Sequence, residues 1–146
     1  MTRIVPSSQV SATAFESGIE FVKQANNANL APVDGLALYA GNDEIFARTL
    51  DLGGAGGILV ASHLVGEEMR RMVDEPQERA AIDEELRDVY TALSVTSNPI
   101  PVKRALNMLG LPVGGLRSPL VEADYGESQV IGAMLARRGL QALAHQ

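Results

Sequence analysis

The sequence predicts an α/β fold: a small parallel sheet built from β-α units and followed by a helical tail. Three observations carry that expectation. Short β-prone runs occur at residues 19–25 (IEFVKQA), 36–40 (LALYA) and 57–62 (GILVAS), bounded by Gly, Asn or Asp. Stretches with apolar residues at helical spacing alternate with the later runs. The later runs are continuously apolar, the habit of parallel strands whose sheet is covered on both faces.

Taken in order, Ser7 or Ser8 is expected to cap a short helix through Val10, Ala14 and Phe15, with Gly18 ending it. The first strand, 19–25, leaves through Asn26-Asn27-Ala28-Asn29, a turn-forming cluster. The second strand, 36–40, closes at Gly41-Asn42-Asp43. Asp43 is read as the cap of a helix over 44–52, with Ile45, Phe46, Thr49 and Leu50 on one side. A glycine-rich turn then leads into the third strand, 57–62, with His63 following it.

Beyond His63 the chain reads as helical. One short helix covers 67–74 and stops near Pro76. A longer one covers 77–93, with Ile82, Leu86, Val89, Tyr90 and Leu93 at helical spacing. Acidic residues at its start and Arg87 further along suit the helix dipole. Asn98-Pro99-Ile100-Pro101 is a sharp break. Helix 102–109, a Gly/Pro loop through Pro119 and a last helix over 128–143 complete the chain.

Composition bounds the function. The 146 residues suit one domain, since single domains commonly run to about 100–200. With 46% hydrophobic residues the chain is not disordered. Without cysteine there is no disulfide framework, thiolate zinc site or thiol nucleophile. Twelve basic against 18 acidic residues give a net charge of -6, which argues against nucleic-acid binding. No apolar run reaches the roughly 18 residues of a membrane span. The start, MTRIVPSSQVSATAF, lacks the apolar core of a secretory signal, so a cytoplasmic protein is expected.

Lys23 is the most informative residue. It shares one strand face with Ile19 and Phe21, and lysine is rare in strands. In apolar surroundings an ammonium group loses its proton more readily, and a neutral amine attacks carbonyl carbon to form a Schiff base. From spacing alone, a strand-end lysine whose amine reaches water is the plainer reading. The run Leu52-Gly53-Gly54-Ala55-Gly56-Gly57 stands after a helix and before a strand, the reverse of a phosphate cradle. It reads as a helix C-cap and a tight turn into the strand.

The remaining polar candidates have plain readings. His63 is read as a loop histidine, and His145 as a solvated one in the tail. Two histidines without metal-ligand spacing give no metal site. Glu67-Glu68, Asp74-Glu75 and Asp83-Glu84-Glu85 are read as solvated helix faces, Tyr90 as core, and Met69, Met72, Met108 and Met134 as helix packing.

Four stretches in order resemble the C-terminal half of the dihydrodipicolinate synthase/N-acetylneuraminate lyase family. IEFVKQA is similar to the family's sixth strand, and LYAGND (38–43) to its seventh strand and turn. LDLGGAGGILVASH (50–63) is similar to the lead-in to its eighth strand, and NPIPVKRALNMLGLPVGGLRSPL (98–120) to its helical tail. These enzymes are pyruvate-dependent class I aldolases on a TIM barrel.

The resemblance implies a partial TIM barrel, the last three βα units, followed by a C-terminal helical segment. Residues 1–64 would carry strands six to eight, and 65–146 the last barrel helix and tail of the same domain. It implies Lys23 as the Schiff-base lysine, with Ile58, Gly41 and Asn42 as substrate-binding positions. No cofactor is needed, because the imine forms through lysine. Pyruvate and a small aldehyde such as aspartate semialdehyde are the implied substrates.

Departures from the family pattern accompany the likeness. Phe21 stands where the family has glycine, and Gln24-Ala25-Asn26-Asn27-Ala28 replaces its Glu-Ala-Ser/Thr-Gly-Asp. No stretch matches the threonine pair that binds the pyruvate carboxylate, the proton-relaying tyrosine or the arginine for the second substrate. A whole barrel needs about 250 residues. Three strands leave two edges and a face open. Little activity is therefore expected of the chain alone, with a homo-oligomer or a complementary N-terminal half-barrel as partner. The alternative is a non-catalytic half-barrel acting as an interaction or regulatory subunit.

Overall fold

The computed structural model describes residues 18–140. The helix expected before Gly18, His145 and the end of the expected last helix lie outside the described residues. Strands β1 (Phe21–Gln24), β2 (Ala37–Ala40) and β3 (Gly56–Gly57) form a parallel sheet in the order β1-β2-β3. Among the described residues six helices accompany it: α1 (Phe46–Asp51), α2 (Ser62–Asp74), α3 (Arg79–Glu85), α4 (Arg87–Leu93), α5 (Ile100–Met108) and α6 (Tyr125–Arg137). The chain divides into two compact units. The first holds the described residues up to Val60 together with Glu67–Asp83; the second holds Ala61–Gly66 and the described residues from Glu84 onward.

In the first unit the strand pleat sorts the side chains. Val22, Leu38 and Ala40 are buried, as are Ile45, Phe46, Thr49 and Leu50 of the segment that follows β2. The four helix positions expected on one side are thus the ones that bury. The other sheet face carries Phe21, Lys23 and Tyr39, and Phe21 is 43% exposed. Among the described residues of this unit, the cover expected on both faces is therefore found on one.

The third strand corrects the sequence reading. It starts one residue earlier than expected and stops at Gly57. Ile58 N–H donates to the Ala40 carbonyl at 2.9 Å, a last rung. Val60 N–H then turns to the Asp43 carboxylate at 3.0 Å, so the chain leaves the ladder. By Ser62 it is already in α2, which places the exposed His63 in a helix rather than a loop. Val65, at φ -131° and ψ 41°, interrupts that helix, and the piece after it ends at Asp74 as expected.

Asp43 also departs from its expected role. A 3-10 turn, Asp43–Ile45, precedes α1, and the residue at its N-cap is Asn42. The glycine run behaves as read: Gly53 takes φ +82°, and Gly54 N–H closes on the Thr49 carbonyl at 2.9 Å. Arg79 fastens α3 within this unit, donating to Asp51 at 2.6 Å and to the Met72 carbonyl at 2.9 Å. The expected helix 77–93 is divided at Leu86, whose ψ of -3° flattens one turn. Asp83 is buried, 6% exposed, against the expectation of a solvated face. Asp74 and Glu75 do lie on a solvated face, paired with Arg70 and Arg71.

In the second unit α4, α5 and α6 pack on one another. Val89, Tyr90, Leu93, Ile100, Ile131 and Met134 are among the buried residues. Helix α5 begins two residues before the expected start, with Pro101 in its first turn, where a missing N–H is harmless. Helix α6 begins at Tyr125 rather than 128 because Asp124 and Glu127 form a capping box. Asp124 accepts from the Glu127 amide at 2.8 Å, and Glu127 accepts from the Asp124 amide at 2.9 Å. Arg138 ends the helix with a fork onto Asp88 of α4 at 2.7 and 3.1 Å. A cavity of about 360 Å³ lies among Met108, Leu109, Gly132, Leu135 and Leu140. Met69, Met72 and Met134 are buried, whereas Met108 lines this cavity.

Candidate functional site

The site candidates converge where three parallel strands end. Lys23, the third residue of β1, is half-buried and lies opposite Tyr39 in the register. Gly41 extends the ladder one step beyond β2, since its N–H donates to the Gln24 carbonyl at 2.6 Å. That step carries bare backbone alongside the lysine arm: a Cβ on Gly41 would lie 3.0 Å from both Cγ and Cε of Lys23. Glycine is what lets the arm lie there.

Ile58 occupies the equivalent position after β3, held by its bond to Ala40. Its side chain is 51% exposed, and it is the backbone that the ladder fixes. Asn42 is exposed and extended, at φ -143° and ψ 141°, and its side chain makes no cap bond. Lys23, Gly41, Asn42 and Ile58 are thus brought to adjacent C-terminal strand ends, where open α/β sheets gather their ligands. Among the four, the lysine amine is the group able to bond covalently to a carbonyl compound.

Two residues of this neighbourhood were not expected as site residues, and Asp43 was read only as a helix cap. Tyr39 packs edge-to-face on Phe21, with ring centroids 5.6 Å apart. A Cβ at Gly56 would approach Tyr39 Cε1 to 3.3 Å, so the ring also covers that glycine. The signal was strand parity, which puts Tyr39 on the lysine's face once the register is known. Asp43 is 8% exposed and takes Val60 N–H. Nothing in the spacing distinguishes that use from a helix cap.

The departure after the lysine has its own fastening. Gln24 clasps Ala31 with both amide atoms, donating to its carbonyl at 2.9 Å and accepting from its N–H at 3.1 Å. Arg48 holds Asn27 through its carbonyl at 3.2 Å and its side-chain oxygen at 2.6 Å. His63 belongs to the second unit. Among the described residues, no three His, Asp or Glu side chains group so as to hold a metal ion. Among them also, no helix is long and apolar enough to cross a membrane.

Comparison with known proteins supports a family assignment. The sequence pattern described as the dihydrodipicolinate synthetase family matches residues 8–137. A 4-hydroxy-tetrahydrodipicolinate synthase of Heliobacterium modesticaldum is 37% identical over 152 residues, covering 97% of this chain and 51% of that protein. One from Moorella thermoacetica is 44% identical over 115 residues, covering 75% of this chain and 39% of that protein. The crystal structure of the Cyanidioschyzon merolae enzyme with lysine bound superposes with a TM-score of 0.75 at 34% identity, covering 84% of this chain and 45% of that one. The chain spans about half the length of the curated relatives it matches. With the match running through most of its length, the chain belongs to the dihydrodipicolinate synthetase family.

Proposed function

We propose that this chain carries the imine-forming part of a pyruvate-dependent class I aldolase of the 4-hydroxy-tetrahydrodipicolinate synthase type. The observation that carries the reading is the alignment of Lys23, Gly41 and Ile58 on three adjacent strand ends. The relatives' name supports it. The Lys23 amine attacks the keto carbon of pyruvate, and water leaves to give the imine. Loss of a methyl proton yields an enamine, whose carbon adds to an aldehyde such as aspartate semialdehyde. Gly41 and Asn42 shape the pocket, and the Ile58 carbonyl faces the bound pyruvate. No cofactor takes part.

In this reading the three strands are strands six to eight of a TIM barrel, carried on residues 1–64, with residues 65–146 as the last barrel helix and tail. A second polypeptide segment, or another copy of the chain, covers Phe21 and Ile58. Those exposed apolar residues also favour a second reading, a non-catalytic half-barrel subunit.

Borohydride trapping separates the two. The chain has just two lysines, Lys23 and Lys103, and Lys103 is engaged with the Gly115 carbonyl. With labelled pyruvate and borohydride, peptide mapping is expected to find label on Lys23 in clear excess over Lys103, weak in total and abolished by Lys23→Arg. Equal label on both lysines favours the non-catalytic subunit.

A further inference from the structure

We propose that Asp43 is a positioning residue for Lys23's pocket, a role that rests on the imine reading above. Its buried carboxylate binds Val60 N–H at 3.0 Å and holds the turn after β3 against the turn after β2. Two of the bonds that join the turns act as rungs. One is backbone, Ile58 N–H to the Ala40 carbonyl; the other is Asp43 to Val60. Gly41 lies two residues before Asp43, and Ile58 two residues before Val60, so each rung sits beside a site position.

The backbone rung alone is a weak anchor. β3 contributes two residues to the sheet, and the chain must leave it to begin α2 at Ser62. A carboxylate can follow the departing strand where a backbone carbonyl cannot. In a site shielded from water a charged acceptor also holds an N–H more firmly than a neutral one does. The Ile58 carbonyl lies on the Ile58–Leu59 peptide, between the Gly57–Ile58 peptide bonded to Ala40 and the Leu59–Val60 peptide bonded to Asp43. Asp43 thereby fixes the far side of the peptide that presents this carbonyl to Lys23's adduct. Its effect passes through the backbone, without contact to the reacting atoms.

The test compares the full chain with Asp43→Ala and Asp43→Asn by amide hydrogen exchange and by borohydride trapping with labelled pyruvate. In Asp43→Ala, Val60 and Ile58 amides are expected to exchange about tenfold or more faster, while Val22 and Leu38 amides hold. The pyruvate concentration for half-maximal labelling of Lys23 is expected to rise more than the limiting labelling falls. Asp43→Asn, which keeps an oxygen acceptor, restores most of both. Unchanged exchange at Ile58 and Val60, or unchanged half-saturation, overturns the assignment.

If the unsubstituted chain labels Lys23 no better than Lys103, the imine reading fails and exchange alone decides. Local loss of protection then keeps Asp43 as the holder of the two turns, and full retention removes it. Should Asp43→Ala lose protection throughout, Asp43→Ser is read by the same criteria.

Discussion

Lys23 and Gly41 are packed as one surface, with the place of a Cβ on Gly41 only 3.0 Å from the lysine's Cγ and Cε and 3.1 Å from the Gln24 carbonyl. The lysine arm can yield, whereas the Gln24 carbonyl belongs to the ladder. Gly41→Ala is therefore expected to push the amine off its line and reduce labelling of Lys23 several-fold. Overpacking of this kind costs about 1 kcal/mol in stability. Trapping yield and a urea melt read the two effects separately. Undiminished labelling would show that the arm does not depend on bare backbone at position 41.

Gly132 offers the opposite case. It lies inside α6, nothing stands within 4 Å of the position its Cβ would take, and it lines the 360 Å³ cavity. Alanine there removes the entropic penalty of a mid-helix glycine without a clash. Gly132→Ala is expected to raise stability by about 0.5–1 kcal/mol. An increase in the urea midpoint at constant slope is the readout, and a decrease would mean that the space is filled.

The pair Arg71 and Glu75 should be visible as a pH effect. Glu75 accepts from Nε and the Nη2 group of Arg71 at 3.1 Å each, and this hydrogen bonding holds its carboxyl below the ordinary glutamate value. A carboxyl whose folded value is lowered stabilises the protein fully above the unfolded value and loses that contribution as pH falls through the folded one. The Glu75 side-chain resonance is expected to titrate below the model-peptide value, and Arg71→Gln to return it there. Both groups are exposed, so the effect on overall stability is small.

The sheet was legible because its signals are local, whereas spacing alone made Lys23 a strand-end lysine and the family resemblance supplied its expected role. A strand that interrupts apolar residues with one lysine, a Gly-Asn-Asp stop and a helix-glycine-strand order each need a few neighbours only. What escaped depends on distant partners. Gly57–Ser62 reads as a strand on its own, yet Asp43 draws Val60 out of the ladder from 17 positions away. Asp124 and Glu127 form a capping box that is written in the sequence, and the helix start was still set late. Asp83 sits in an acidic run and is nonetheless buried, which periodicity over so many charges does not mark. The four expected site positions all reach adjacent strand ends; Tyr39 joins them through register and Asp43 through its bond to Val60.

The two compact units exchange the chain three times, after Val60, after Gly66 and after Asp83. A single cut at the end of the sheet would strip the lysine-bearing unit of its helical contribution from Glu67–Asp83. For anyone moving this piece into another protein, the shortest uninterrupted insert that keeps that unit whole runs through Asp83 and brings Ala61–Gly66 along as a passenger.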